Sequence, residues 1–443
     1  MRKFIIDTIF RVRLRHRPGQ LAKFTALIAD EEGLVGEITT IRISEHDTIR
    51  DITIQTTDDA HTERIVAAIR AADYVDLLYT QDRVFERHRG GKIHSTSRVE
   101  VTHVGDLRHI YTPGVARVSL AIQDKPELAW EFTGISNSVG IFTNGTRVLG
   151  LGDIGPLASL PVMEGKAVLY DRLAGISATP ILIDTKDPDQ FIETVIRIAP
   201  SFGAIHLEDI RTPDCFRIER ELDARLAKPV MHDDQWGTGT AALAGVINAC
   251  KMTGIELRRA RVGQIGLGAA GSAIARLALA YGVEEVLVTD RSPEVTAQLA
   301  PPGTRAADIA TLMRNCDIVI ATTGRPGLIA PEQVRPGQVI FGLSNPEPEI
   351  DPDVARAAGA AFAGDGRSIN NALAFPGLFK GALEVRSRSI TVEMLLVAAE
   401  VIASLAEDTE VVPSPLNPAV HDAVRVAVAA KARELGLAGT ARA

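Results

Sequence analysis

The chain has 443 residues, which is too long for a single hydrophobic core, because domains average roughly 100–200 residues. Hydrophobic residues make up 46% and charged residues 23%, a composition typical of a globular protein. The net charge of −8 argues against a nucleic-acid partner, which would favour a basic face. It is compatible with an anionic small-molecule substrate, because the local charge of a cleft matters more than the total.

Three cysteines, Cys215, Cys250 and Cys316, lie far apart in the sequence. They form neither a metal-binding pair nor a set large enough for a disulfide framework, so the chain is expected in a reducing cytoplasm. The most apolar late stretch, residues 390–406, contains Glu393 and Glu400. It therefore predicts a packed helix and not a membrane span.

The first 88 residues predict a small domain of strands and helices. Apolar and basic residues alternate over 9–15, which is typical of a half-buried strand. A turn at Pro18-Gly19 follows, and then the pattern predicts a helix that Gly33 ends, strands near 36–44 and 49–57, a helix over 59–72 and a strand over 74–85. This βαββαβ order indicates a ferredoxin-like fold for residues 1–88.

Residues 88–92, which include two glycines, are expected to form a linker. After them, Gly-rich turns separate strand-like and helical segments, which predicts an α/β catalytic body in two parts. We place these parts at residues 89–239 and 240–378, and expect the second to contain a dinucleotide-binding unit. The apolar helical segments of residues 379–443 carry no chemistry of their own and are expected to pack on this body.

Three side chains in the first part are candidates for acid–base chemistry or substrate binding. Tyr111 has a phenol that can act as a general acid, although a tyrosine within a core is the commoner case. Arg147 can hold a carboxylate with its guanidinium fork, or can form an ordinary surface ion pair. Lys166 lies in a mostly apolar run, where burial would lower its pKa and let it act as a general base. A surface lysine is the alternative.

Two acidic pairs follow apolar, strand-like runs: Glu208-Asp209 and Asp233-Asp234. Ligands gather at the carboxyl ends of strands in doubly wound folds, and carboxylates without cysteine suit Mg²⁺ or Mn²⁺. Neighbouring residues of a regular strand point to opposite faces, so Glu208 and Asp209 share an ion only if the chain bends there. For either pair alone, solvated acids that cap a helix are the alternative.

Gly266, Gly268 and Gly271 have the G-x-G-x-x-G spacing between a predicted strand and a predicted helix. Gly266 allows a tight turn, Gly268 lets the backbone approach a pyrophosphate, and Gly271 lets the helix and the strand pack closely. The next strand ends at Asp290, where an acid is expected to hydrogen-bond the ribose hydroxyls. This context favours dinucleotide binding over a plain Gly-rich turn. Asp290 favours NAD, because a carboxylate repels the 2′-phosphate of NADP. Arg291 beside it could contact that phosphate, so NADP remains an alternative cofactor.

Together these segments resemble the malic enzymes. The matching runs follow the order found in this family and are spread over nearly all of residues 95 to 385. As a series they are more specific than any single motif above. They are 111–116, 149–167, 184–188, 207–210, 232–235, 266–271, 345–346 and 370–377. The N-terminal βαββαβ unit, with its Pro18-Gly19 turn, resembles an ACT domain, a match that is mostly one of pattern.

The resemblance implies a role for each candidate. Glu208, Asp209 and Asp234 would bind the metal, and Asp233 would orient Lys166. Lys166 would remove the proton of the malate C2 hydroxyl, and Tyr111 would protonate C3 of the enolpyruvate.

The same resemblance implies the ligand contacts. Asn345 and Asn371, which by themselves indicate only backbone turns, would hold the substrate together with Arg147. The cofactor would lie on the glycine loop and the segments beside it: Gly266, Gly268, Ala269, Ala270, Gly271, Asp290 and Asn345.

The implied reaction is the oxidative decarboxylation of malate to pyruvate and CO₂ with NAD, or NADP, and Mg²⁺ or Mn²⁺. Two alternatives stay open, a malolactic enzyme that retains NAD and releases lactate, and a catalytically silent metabolite sensor. The ACT-like unit predicts a homo-oligomer through its sheet edges. It also predicts that an amino acid or another small metabolite binds near Gly19 and alters activity.

Overall fold

The alternating residues near the N-terminus form strand β1 (Ile6–Arg15), whose apolar side chains all face one side of a sheet. This is seen in a computed structural model that describes residues 6–148, 150–367, 369–407 and 409–439. Phe10, Val12 and Leu14 of β1 are fully or almost fully buried in a hydrophobic core. The chain divides after His94 into two compact units, and β1 lies in the first.

The first unit is a four-stranded antiparallel sheet with two helices packed on one face. Its further elements are α1 (Gln20–Asp30), β2 (Leu34–Ile43), β3 (Asp47–Thr56), α2 (Asp59–Ala71) and β4 (Val75–Asp82). The strands lie in the order β2-β3-β1-β4. This arrangement confirms the ferredoxin-like prediction, while the assignment to the ACT domains stays a prediction.

The last strand of this unit is shorter than the predicted 74–85. It ends at Asp82, and a short helix α3 (Arg83–His88) follows. The cause is helix capping, because Asp82 Oδ1 accepts hydrogen bonds from Val84 N at 2.7 Å and Phe85 N at 3.1 Å.

The second unit begins with helical segments around a parallel sheet in the order β6-β5-β7-β8. Its helices are α4 (Val104–Ile110), α5 (Val115–Asp124), α6 (Ala129–Phe132), α7 (Gly155–Ala174), α8 (Pro188–Ile198), α9 (Asp214–Arg225) and α10 (Asp233–Thr253). Its strands are β5 (Ser138–Thr143), β6 (Ser177–Leu182), β7 (Ala204–Leu207) and β8 (Val230–His232). Short 3₁₀ turns connect several of these elements.

A second parallel sheet has the strand order β11-β10-β9-β12-β13-β14. Its strands are β9 (Arg261–Ile265), β10 (Glu285–Thr289), β11 (Arg305–Ala306), β12 (Ile318–Ala321), β13 (Val339–Gly342) and β14 (Phe362–Asp365). The connecting helices are α11 (Ala269–Tyr281), α12 (Pro293–Leu299), α13 (Ile309–Asn315) and α14 (Pro352–Ala357). This order is the doubly wound arrangement of dinucleotide-binding domains, which confirms the predicted Rossmann-type part.

The helices after this sheet pack back on the same unit. They are α15 (Phe375–Glu384), α16 (Val392–Ser404) and α17 (Pro418–Glu434), and their apolar residues share one core with α10 and β9. Helix α10 is buried on almost every side and runs through the boundary that we placed at residue 240. It therefore connects the two sheets instead of separating them. Within the described ranges, no helix has the length and apolarity needed to span a bilayer.

We expect Ile54→Ala to loosen the first unit. Ile54 lies on β3 and is fully buried between the sheet and its helices, so truncation leaves a cavity that costs about 2–5 kcal/mol. Hydrogen exchange of the β1 and β3 amides measures this loss, and the conservative control Ile54→Val should lose only about 0.5–1.5 kcal/mol. Equal protection in all three proteins would contradict the packing described for this core.

Candidate active site

The two acidic pairs meet because their strands are neighbours in one parallel sheet. Strands β7 and β8 pair with Leu207 opposite His232, and the acids follow directly. The backbone of Asp209 has a φ of 56°, in the left-handed region, so the chain turns there. Asp209 N donates a hydrogen bond to Asp234 Oδ2 at 2.9 Å. The bend that a shared ion requires is therefore present.

Glu208, Asp209 and Asp234 form a candidate metal site. Each offers a carboxylate oxygen, and these oxygens all lie within 4.8 Å of one another. An all-carboxylate set suits a hard divalent cation such as Mg²⁺ or Mn²⁺. The group of His206, Glu208 and Asp233 meets the same distance limit, but the Lys166 amine already contacts both of its carboxylates. The first group is thus the better candidate.

Lys166 projects from α7 into the same cluster and is only 8% exposed. Its Nζ donates a hydrogen bond to Asp233 Oδ2, lies 3.2 Å from Glu208 Oε1 and lies 4.6 Å from the centre of the Phe375 ring. Burial alone lowers the pKa of Lys166, but Asp233 and Glu208 outweigh it and hold the pKa above its ordinary value. The expectation of a lowered pKa is therefore wrong for the chain by itself.

Negative charge is in excess within this cluster. Four carboxylates share the cluster with one ammonium group, and burial raises the pKa of Glu208 well above its ordinary value and that of Asp233 to about 6. Among the side chains that the structure describes, Asp233 Oδ1 and both ring nitrogens of His232 are buried without a hydrogen-bond partner. Unbalanced charge and unsatisfied polar atoms are the features that a bound cation and its ligands would relieve.

A cavity of about 1150 Å³ opens beside the cluster. Asp234 lines it from the acidic side, and all three predicted substrate residues, Arg147, Asn345 and Asn371, also line it. The dinucleotide candidates Gly266, Gly268, Ala269, Ala270 and Asp290 complete this part of the wall. One cavity therefore brings together one acid of the candidate cation site, the predicted substrate contacts and the glycine loop.

The three glycines of the loop have distinct geometries. Gly266 has a φ of 91°, which favours glycine in this turn. A Cβ on Gly271 would lie 1.9 Å from Gly266 O, so a side chain there would collide with the turn. A Cβ on Gly268 would meet nothing within 4 Å, which leaves the backbone open to a ligand. At the end of β10, Asp290 Oδ2 accepts a hydrogen bond from Leu267 N at 2.6 Å.

Tyr111 is not part of this assembly. It follows the last residue of α4, a short helix with no buried residue, and its side chain is 68% exposed. It does not line the cavity. The geometry of this chain therefore does not bring the predicted general acid to the cluster, and its role stays a prediction.

Comparisons with known proteins agree with this geometry. The profile of the malic enzyme N-terminal domain matches residues 91–189 and 185–223, and that of the malic enzyme NAD binding domain matches residues 363–434. The profile of the NAD binding domain of D-isomer specific 2-hydroxyacid dehydrogenases matches residues 226–325. NAD-dependent malic enzyme 1 of Bacillus subtilis is 50% identical over 413 residues, which are 93% of this chain and 94% of that protein.

The chain belongs to the malic enzyme family.

A second relative and a solved structure extend this result. The bifunctional malic/malolactic enzyme of Bacillus subtilis is 40% identical over 79% of this chain and 91% of its own length. The crystal structure of a malic enzyme from Pyrococcus horikoshii has a TM-score of 0.77 and 38% identity, and covers 81% of this chain and 92% of that one. The malic-enzyme fold of the second unit therefore agrees with an experimental structure.

The sequence did not reveal His206 and Tyr170, two buried residues that support the cluster of Lys166 and its carboxylates through Glu208. Burial lowers the pKa of His206 to about 4, so the ring is neutral. Its Nε2 forms a hydrogen bond with Glu208 Oε2 at 2.6 Å, and its Nδ1 forms one with the Tyr170 hydroxyl at 2.8 Å. His206 lies on β7 two residues before Glu208, which directly follows the strand, and this spacing places both side chains on one face.

Two further carboxylates hold the surrounding segments in place. Glu219 of α9 accepts hydrogen bonds from His232 N at 2.7 Å, Gln235 Nε2 at 2.9 Å and Trp236 Nε1 at 3.0 Å. Burial raises the pKa of Glu219 to about 7. The fully buried Glu349 accepts from the backbone N–H and the hydroxyl of both Thr323 and Ser344. It thereby joins two loops of the cavity wall.

Substitutions in the glycine loop should separate folding from cofactor binding. Gly268→Ala should leave the fold intact but weaken NADH binding, because the new methyl group occupies the space open to a ligand. Gly271→Ala should reduce both binding and thermal stability, since its Cβ collides with Gly266 O. NADH fluorescence titration and thermal unfolding measure the two effects. Gly134→Ala, also in open space and away from the cavity, is the control and should match the parent.

Glu219→Ala should weaken Mn²⁺ binding by about 10–100-fold, because three donors around the start of α10 lose their acceptor and Asp233 and Asp234 shift. Isothermal titration with Mn²⁺ measures this. The control is Glu221→Ala on the same helix, which removes only a surface pair with Arg217. Equal Mn²⁺ affinity in both variants would show that Glu219 does not support the site.

Proposed function

We propose that this chain catalyses the NAD-dependent oxidative decarboxylation of L-malate to pyruvate and CO₂. The observation that carries the proposal is the placement of the Lys166 amine between Glu208 and Asp233. Asp234, next in the chain, lines a cavity that the glycine loop and Asn345 also line. The proposed base and cation site thereby lie beside a cavity that Asp234 connects to the glycine loop, where the hydride acceptor would bind.

The carboxylates of Glu208, Asp209 and Asp234 fit a divalent cation, which supplies electrophilic stabilisation of negative charge on the substrate oxygen. NAD on the glycine loop supplies the acceptor for the hydride from C2. Positive charge at the three carboxylates opposes their effect on Lys166 and favours its neutral amine. In that form Lys166 accepts the proton of the C2 hydroxyl, while Asp233 holds the amine in place.

The remaining roles concern the grip on the substrate and the final proton. Arg147 is exposed on the cavity wall, where its guanidinium can hold a substrate carboxylate. Asn345 and Asn371 line the same wall and offer amide groups to the substrate or the nicotinamide. Protonation of C3 by Tyr111 is proposed on the family resemblance alone.

A malolactic reaction is the second candidate, because the same residues serve malate decarboxylation when NAD stays bound. The higher identity to an NAD-dependent malic enzyme than to a bifunctional malic/malolactic enzyme favours the oxidative reaction. A catalytically silent sensor is disfavoured, since Lys166 and all four acids lie together in the second unit.

We propose further that the chain forms a homo-oligomer and that its first unit binds a small effector near Gly19. Strand β2 lies at the edge of its sheet and is exposed along almost its whole length. Leu34, Ile38, Ile41 and Ile43 are among its exposed apolar residues. Such an edge offers unpaired backbone groups to a second copy.

Lys166→Met should lower kcat by about 10²–10⁴-fold, because the substitution keeps the volume of the side chain but removes the proton acceptor. Initial rates of NADH formation with malate and Mn²⁺ measure this. Lys186→Met is the control, since Lys186 forms an exposed pair with Asp153, and it should retain the parent rate. If the Lys166→Met enzyme were as active as the parent, Lys166 would not be the general base.

Product analysis should find pyruvate and NADH in equal amounts, with a higher kcat/KM for NAD than for NADP because Asp290 repels a 2′-phosphate. Chelation should abolish turnover, and Mn²⁺ or Mg²⁺ should restore it. Lactate without net NADH would favour the malolactic reaction. Full turnover after thorough chelation would contradict the proposed requirement for a divalent metal.

A further inference from the structure

The first unit has a cavity of about 380 Å³ at the point where β1 leads into α1. Its wall includes Arg15, Arg17 and Arg50, with His16 between the first two. No aspartate or glutamate lines it within the described part of this unit. The cavity is thus strongly basic in a chain whose net charge is −8.

Arg50 is the most unusual member of this wall. It lies on β3 directly opposite Val12 of β1, and residues opposite each other in register share one face of a sheet. Val12 is fully buried against the helices, so the Arg50 side chain starts on the core face, where charged residues are rare. Strand β3 is an interior strand, so Arg50 is not a device that protects a sheet edge.

The Arg50 guanidinium has no carboxylate to balance it. Its Nε is buried without a hydrogen-bond partner, and no ion pair forms between Arg50 and another described residue. The acids of β3 are engaged elsewhere, since Asp51 pairs with Arg11 and Asp47 contacts Ser44 and Arg42. A half-buried guanidinium whose buried Nε has no partner carries a positive charge that an external anion would balance.

The start of α1 adds further donors to the same cavity. This helix of 11 residues has no side-chain cap and no acid in its first turn, so its first N–H groups have no side-chain acceptor. Gly19 precedes it with a φ of 83°, and a Cβ there would meet nothing within 4 Å. At the opposite wall, His16 Nδ1 lies 2.8 Å from Thr48 Oγ1.

We infer that this basic cavity binds a small anion that carries carboxylate or phosphate groups and has no ammonium group. The arginines and the helix start can hold two or more negative groups. A zwitterionic amino acid fits less well, because the described wall offers its ammonium group no acid and only one buried acceptor without a partner, Gln20 Oε1. This inference rests on the effector site proposed above and adds the chemical class of its ligand.

Calorimetry on the full chain tests the inference with three probes: citrate, inorganic phosphate and glycine. We expect citrate or phosphate to bind and glycine not to bind, and the stronger of the two anions identifies a carboxylate or a phosphate ligand. Arg50→Gln should weaken this binding at least about tenfold, while Arg50→Lys, which keeps the charge, should lose less. Arg70→Gln, exposed on α2 and outside the cavity wall, should bind as the parent does.

Gly19→Asp is a second variant that places a carboxylate at the cavity and should weaken anion binding even if Arg50→Gln fails to fold. Its Cβ meets no neighbour, and aspartate is one of the few residues that visit the left-handed region of the Gly19 φ of 83°, which strains most side chains. Circular dichroism reports the fold of each variant. The inference is overturned if neither anion binds, if Arg50→Gln and Gly19→Asp bind as the parent does, or if glycine binds in their place. Malate turnover of the parent is measured separately, so normal turnover without anion binding contradicts this inference alone.

Discussion

The structure of the catalytic unit depends on the balance of buried charge around Lys166. Four carboxylates surround one ammonium group in a cluster largely removed from water, where unpaired charge is costly. Burial raises the pKa of Glu208 above its ordinary value, because the chain alone solvates this carboxylate poorly. A divalent cation at Glu208, Asp209 and Asp234 would balance the excess and favour the neutral Lys166 amine that the proposed reaction requires. In this proposal, the stability of the site and catalysis depend on the same ion.

The fold assembles this cluster through the parallel sheet that contains β7 and β8. The carboxyl ends of these neighbouring strands place Glu208 and Asp209 beside Asp233 and Asp234. The second pair also forms the first turn of α10, where the positive end of the helix dipole stabilises carboxylates. Helix α10 continues into the hydrophobic core that it shares with β9 of the dinucleotide-binding sheet. The acids at its start and the glycine loop after β9 are therefore joined through one core.

Much of this arrangement follows from local sequence patterns. The alternation in β1, the helical spacing around Phe24 and Ile28, and the glycine spacing from 266 to 271 all depend on near neighbours, so the sequence predicts them well. The end of β4 depends on a single residue, Asp82, which caps the following helix. The alternating strand pattern gives no sign of this cap. The boundary that we placed near residue 240 falls inside α10, because the helix expected there is longer and more buried than the local pattern shows.

The supporting residues of the site were harder to predict because their partners are distant in sequence. Glu219 looks like an ordinary acid of an amphipathic helix, and only the fold brings it to His232 and Trp236. The pKa of Lys166 illustrates the same limit, since burial and neighbouring charge act in opposite directions and the sequence shows only the first. Tyr111 looks like a core tyrosine or a catalytic acid in sequence, yet it is exposed in this chain.

The most direct test of this account is the position of Mn²⁺ located by its anomalous diffraction in crystals of the protein. The account predicts one ion with carboxylate oxygens of Glu208, Asp209 and Asp234 as direct ligands, and Lys166 beside it as a free amine. An ion held by His206 and Asp233, or by acids away from this cluster, would contradict the central claim.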